Sequence, residues 1–179
     1  MKKLDVQPGA ALLLGALVFT LQPAELAALC IAATVHELGH LLALQILGVR
    51  VYGVTFAMTG PVIRCEAPST ASGQILSALS GPVAGMLLYL FTYARWPLLG
   101  EISLFLSLLN LLPVPPLDGG RALRVIVGEK ACQILSALLC GTLLLCGLLA
   151  AASGYGVTLA IFGAWLTVLA CQADGIVVK

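Results

Sequence analysis

The chain of 179 residues has only two histidines, His36 and His40, four positions apart in Val35-His36-Glu37-Leu38-Gly39-His40-Leu41. On a helix of 3.6 residues per turn this spacing stacks both imidazoles on one face, within reach of a single metal ion. Glu37 lies beside them and can act as general base toward a water at that metal, the mechanical content of H-E-x-x-H. The flanking sequence from Ala24 to Leu47 is otherwise almost wholly apolar. Ionisable groups in such a helix are costly in lipid and therefore point to function. Core histidines satisfied by backbone carbonyls would leave the glutamate between them unexplained. The pattern predicts a metal centre, with one Zn2+ per chain as the expected ion.

Catalytic zinc ordinarily takes three protein ligands and keeps a fourth position open. Glu25 stands about 16 Å before His36 along the same helix and cannot reach. Glu101 falls at the far end of its own helix, and Asp5 and Asp174 lie near the chain ends. Glu66 and Glu129 occupy loop or helix-start settings, where a solvated charge is the usual state. Asp118 sits in Pro113-Val114-Pro115-Pro116-Leu117-Asp118-Gly119-Gly120, directly after a hydrophobic helix. The prolines exclude regular helix there, and Gly119-Gly120 allows a tight bend immediately after the carboxylate. Asp118 is the expected third ligand.

The elements that must position these groups read as membrane helices. Sixty per cent of the residues are hydrophobic and 9% are charged, against about 25% charged in soluble domains. An apolar segment at 8–21 is short for a crossing and is expected to be a retained first helix. Pro23 and Glu25 open a second helix over about 24–47, which Gly48 closes. From 49 to 66 the period becomes alternating, with a turn at Thr59-Gly60-Pro61, and predicts a β-hairpin over about 49–57 and 62–66. An exposed edge of that hairpin could pair with an extended peptide.

A third helix is expected over about 73–94. It carries Ser80-Gly81-Pro82, whose small residues favour close packing and whose proline would kink or open the backbone. The pattern continues with helices over about 97–112, 130–152 and 156–172, and with Arg121, Arg124 and Lys130 forming a basic surface segment. The expected fold is an all-α polytopic membrane protein with about six transmembrane helices and a small hairpin after the second. It forms a single integral-membrane domain over 1–179. Eight of the nine basic residues fall on one side of this layout, which predicts that both termini are cytoplasmic.

A net charge of +1 without a basic run gives no support to a nucleic-acid partner. The six cysteines form no C-x-x-C pair, so metal or redox roles are not expected of them.

H-E-L-G-H at 36–40, together with Asn110-Leu111-Leu112-Pro113-Val114-Pro115-Pro116-Leu117-Asp118-Gly119-Gly120, resembles the site-2 protease family of intramembrane zinc metalloproteases. Ser80-Gly81-Pro82 resembles the family's Gly-Pro motif on its third helix, although Gly85 stands where the family commonly has Asn. The resemblance implies His36, His40 and Asp118 as zinc ligands, Glu37 as general base, and Asn110 as an assistant near the substrate carbonyl. For Asn110, the alternative reading is a helix-end cap or an interhelical hydrogen bond. The hairpin matches the family's membrane-associated β element, thought to receive substrate.

Without a recognisable PDZ insertion, the layout looks most like the compact sporulation-type subgroup. That subgroup implies a membrane-tethered substrate, a pro-sigma or anti-sigma factor, in a bacterial plasma membrane. The subgroup's soluble nucleotide-sensing domain is not seen before Lys179. Two other classes compete with a protease. A non-catalytic zinc-binding scaffold has no use for a buried base. A zinc transporter would place further ligands along the last two helices, which offer none.

Overall fold

The structure is a computed structural model and describes residues 3–6, 15–57 and 60–176. The chain divides into two compact units, 1–109 and 110–179.

In the first unit, β1 (Lys3–Val6) precedes a helical stretch at 15–20 (α1), and then α2 runs from Pro23 to Ile46. The expected helix over 8–21 is seen in its last turns; its first part lies outside the described residues. Pro23 occupies the first turn of α2, where a missing N–H costs nothing, and the Glu25 carboxylate accepts from the Gln22 amide at 2.9 Å. At the other end Gly48 takes the left-handed conformation, φ 67°, and Val49 N–H donates back to the Leu44 carbonyl at 2.9 Å.

The expected hairpin forms, as β2 (Val51–Ala57) and β3 (Gly60–Cys65). Tyr52 is the extra residue of a bulge, because Val51 pairs with Cys65 and Gly53 with Arg64. Its hydroxyl donates to the Glu66 carboxylate just past β3. Beyond the expected hairpin, β1 pairs in parallel with β2 from Lys3↔Gly53 to Val6↔Phe56 and makes the sheet three-stranded. Four residues in a charged terminus carry too little periodicity to read as a strand.

Helix α3 (Ala71–Thr92) starts at Thr70, whose hydroxyl accepts from Gly73 N–H at 3.1 Å. It remains helical through the buried Pro82. Helices α2 and α3 pack along a stripe of α2 repeating every fourth residue, Ala28, Ala32, His36, His40 and Leu44, all buried. The opposite side of α2, with Ile31, Leu38, Leu42 and Ile46, is exposed in the isolated chain, as a lipid-facing surface would be. Helix α4 (Pro97–Asn110) turns its hydroxyls inward, and Ser103 donates to the Gly85 carbonyl at 2.8 Å.

In the second unit, turns over 111–117 lead into α5 (Asp118–Val127), α6 (Glu129–Ala152) and α7 (Thr158–Ile176). Here the structure corrects the expectation of a bent basic segment: Asp118 to Val127 is a helix. Neither Gly119 nor Gly120 has positive φ. They are glycines because the loop folds back on them. A Cβ at 119 would lie 2.1 Å from the Leu111 carbonyl oxygen, and one at 120 would lie 2.3 Å from Pro115 N.

Helices α6 and α7 meet through glycines as well, Gly147 against Ala160 backbone and Gly163 against Leu144 backbone. Val114, Cys140, Leu166 and Leu169 form the buried core of this unit. Among the described residues, α2, α3 and α6 are long and apolar enough to cross a membrane. Two shorter apolar helices, Pro97–Asn110 and Thr158–Cys171, accompany them. Against the expected count of about six crossings, three helices among the described residues have the required length.

Candidate metal centre

Helix α2 brings His36 and His40 together as their spacing requires. Their Nε2 atoms are 3.2 Å apart, the rings are edge-on at 78°, and both side chains are buried. Two nitrogens bound to one tetrahedral zinc at 2.0–2.1 Å would stand about 3.3–3.4 Å apart, so the pair is already at ligand spacing. His40 Nδ1 lies 2.7 Å from the Ser77 carbonyl oxygen on α3. A carbonyl only accepts, so Nδ1 carries the proton, and the neutral ring presents a lone pair at Nε2. This is the arrangement in which an outer hydrogen bond fixes the tautomer of a metal-binding imidazole.

The space at the two nitrogens exists because residue 81 has no side chain. A Cβ there would stand 2.2 Å from His40 Nε2 and 2.8 Å from His36 Nε2. Gly39 does the same in reverse: a Cβ on it would meet the Ser80 carbonyl oxygen at 2.6 Å and Ala84 Cβ at 2.7 Å. The two unspecified positions of H-E-x-x-H are therefore distinct, Leu38 facing outward and Gly39 facing α3. Glu37 is partly buried beside His36.

In the second unit Asp118 is the first residue of α5 and is buried. The positive end of the helix dipole favours its carboxylate there. Arg121, one turn on, donates from Nη1 to Asp118 Oδ1 at 3.3 Å. The preceding loop is tied to α6, where Ser136 Oγ lies 2.7 Å from the Pro113 carbonyl oxygen and Cys132 is fully buried beneath Gly120. Asn110 is the partly buried last residue of α4.

His36 and His40 are buried imidazoles in the first unit and Asp118 is a buried carboxylate in the second, each of a type that ligates a metal ion. The spacing of the imidazole nitrogens and the cradle at Gly81 fit such an ion. The Ser77 carbonyl, the role of Gly81 and the partnership of Arg121 with Asp118 are additions of the structure. Only Gly81 left a signal, a glycine inside an apolar helix, and packing alone accounted for it.

Helices of membrane-spanning length carrying buried ionisable groups of metal-binding type define a class, and comparison with known proteins narrows it. Residues 73–150 match the model of Peptidase family M50, a span that contains Gly81 and Asp118 and begins after His40. A Synechocystis sp. protein named as an inferred zinc metalloprotease is 36% identical over 108 residues. That alignment covers 52% of this chain and 28% of the Synechocystis protein, so the chain spans little more than a quarter of the relative's length.

The solved site-2 protease from Methanocaldococcus jannaschii shares the fold. Its TM-score is 0.67 at 21% identity, over 95% of this chain and 89% of that one. The family match covers less than half of the chain, and the likeness to the archaeal protease is one of fold.

Proposed function

We propose that this protein is an intramembrane zinc metalloprotease that hydrolyses a peptide bond in or near a transmembrane segment of a membrane-tethered protein. The observation that carries the reading is the His36–His40 pair, at ligand spacing with the tautomer of His40 set by the Ser77 carbonyl. His36, His40 and Asp118 would hold the ion. When bound, zinc supplies Lewis-acid activation, lowering the pKa of water toward about 7 and polarising the scissile carbonyl.

The remaining work falls to the chain's own groups. Glu37 takes a proton from the attacking water as its oxygen bonds to the carbonyl carbon. It then returns that proton to the departing amine as the C–N bond breaks. The Asn110 amide donates toward the oxyanion that develops between those steps. His36 and His40, fixed by packing against α3, hold their lone pairs in place without reorganisation.

Both termini are placed in the cytoplasm. The parallel pairing of β1 with β2 supports this in part, because residues 3–6 and 51–57 must then lie on one side of the hydrocarbon layer. The finer substrate class is a pro-sigma or anti-sigma factor in a bacterial plasma membrane, as for the sporulation-type subgroup.

The test is cleavage of a tethered single-span reporter by the purified full chain in lipid, with zinc content measured on wild type and Glu37→Gln. Cutting by wild type, with a mutant that binds zinc and does not cut, is the expected result. Zinc retained by both, with no cutting across a varied substrate panel, would overturn the protease reading in favour of a scaffold.

A further inference from the structure

We infer that Arg121 is a positioning residue, whose guanidinium holds the Asp118 carboxylate in the orientation that metal binding needs. The inference rests on Asp118 being a metal ligand, as proposed above. Asp118 is the first residue of α5, with its side chain only 8% exposed, whereas that of Arg121 is 54% exposed. The pair therefore joins a buried group to an anchored arm that reaches solvent. Arg121 N–H donates to the Leu117 carbonyl at 3.0 Å and closes the first turn of α5, so the arm hangs from a fixed point. Its Nη1 contacts Oδ1 of the carboxylate at 3.3 Å.

Between the two stand Gly119 and Gly120, so the first turn carries no other side chain. The faces those glycines leave bare are filled by loop backbone at Leu111 and Pro115. Backbone packing thus fixes where the Asp118 Cα sits, and Arg121 fixes how its carboxylate is turned.

Arg124 provides the contrast. It lies one turn further along the same helix, and its Nε is buried with no hydrogen-bond partner among the described residues. The specific contact to Asp118 belongs to Arg121, and a general effect of positive charge on α5 would be shared by both. Two effects of removing Arg121 oppose each other. Losing a cation near the ion would tighten binding, but an exposed charge is screened by solvent. Losing the partner that orients a ligand typically weakens metal affinity by about 10–100-fold. The second effect wins.

The experiment measures zinc affinity of the purified full chain by chelator competition, together with the melting temperature with and without zinc. The variants are Arg121→Gln, Arg121→Lys, Arg124→Gln and Asp118→Asn. Arg121→Gln should bind zinc about 10–100-fold more weakly and lose part of the zinc-induced rise in melting temperature. Arg121→Lys should recover part of the affinity, and Arg124→Gln should match wild type. A lowered zinc-free melting temperature with unchanged affinity would reduce Arg121 to a helix-surface ion pair and overturn the proposal. Equal weakening by Arg124→Gln would also overturn it, as a charge effect. If Asp118→Asn leaves zinc affinity intact, the assignment of Asp118 fails. If Asp118→Asn weakens binding and Arg121→Gln does not, only the role of Arg121 fails.

Discussion

Gly81→Ala is the smallest change that tests the metal centre from outside its donor set. In an ordinary helix interior the substitution stabilises by about 0.8–1 kcal/mol, because alanine loses less backbone freedom. At position 81 the added methyl would stand 2.2 Å from His40 Nε2, 2.6 Å from His40 Cε1 and 2.8 Å from His36 Nε2. Ordinary contact begins at 3.4 Å, so the His40 ring must retreat by about 1.2 Å and the His36 ring by about 0.6 Å. They are ring ends anchored on adjacent turns of a packed stripe, and one is tied to the Ser77 carbonyl, so neither can simply swing aside.

Overpacking of this kind costs about 1–3 kcal/mol, which leaves fold stability about level or lowered by up to roughly 2 kcal/mol. Zinc binding should suffer more, because useful ligand geometry is held to about 0.5 Å. We expect a loss of about 100-fold or more, at the upper end of what outer-shell changes cost. Chelator competition on purified protein gives the affinity, and the zinc-induced shift in melting temperature gives an independent reading. Gly141→Ala on α6, with nothing within 4 Å of its added Cβ, serves as the reference for helix propensity alone. Zinc binding by Gly81→Ala at wild-type strength would refute the argument that the two histidines need this space.

Two other changes probe the loop and the sheet. Gly119→Ala drives a methyl to 2.1 Å from the Leu111 carbonyl oxygen, which is backbone and cannot yield cheaply. It should destabilise the chain by about 1–3 kcal/mol and speed proteolytic nicking in 111–117, as followed by thermal melts and limited digestion. Tyr52 is the pH probe: its hydrogen bond to Glu66 raises its phenol above the usual 10.0. The neutral phenol is thus favoured in the folded state, and the contact contributes below the unfolded value and is lost as pH rises through the folded one. Melting temperatures of wild type and Tyr52→Phe should differ near pH 7 and converge in strong alkali; curves that stay parallel would contradict this.

The two histidines, their helix and its ends were legible because each rests on a local rule. His36 and His40 have helical spacing, Pro23 and Glu25 begin α2, and Gly48 is left-handed where the helix stops. The hairpin was legible from alternation. The stretch from Asp118 to Val127 was misread because glycine pairs usually mark bends. Here Gly119 and Gly120 sit inside a helix, and what they accommodate is chain from residues 111–115, a tertiary fact with no local trace. The same holds for Gly81, whose neighbours are some forty positions earlier in the chain, and for β1, whose partner strand follows α2. Arg121 was read as surface charge, correctly as to its exposure, but its contact with Asp118 needed the helix that the prolines and glycines concealed.

The reciprocal glycines, Gly39 on α2 and Gly81 on α3, bear on how portable the motif is. H-E-L-G-H looks self-contained, a five-letter cassette to transplant onto any apolar helix. Its fourth letter, however, is written for a neighbour, and that neighbour carries a complementary gap of its own. Grafted onto a helix whose partner presents alanine or leucine at the facing turn, the cassette would arrive without room for its imidazoles. Engineering the two-histidine half of this centre into a new membrane scaffold therefore means moving a crossing of two helices, with both glycines in register, and not the five letters alone.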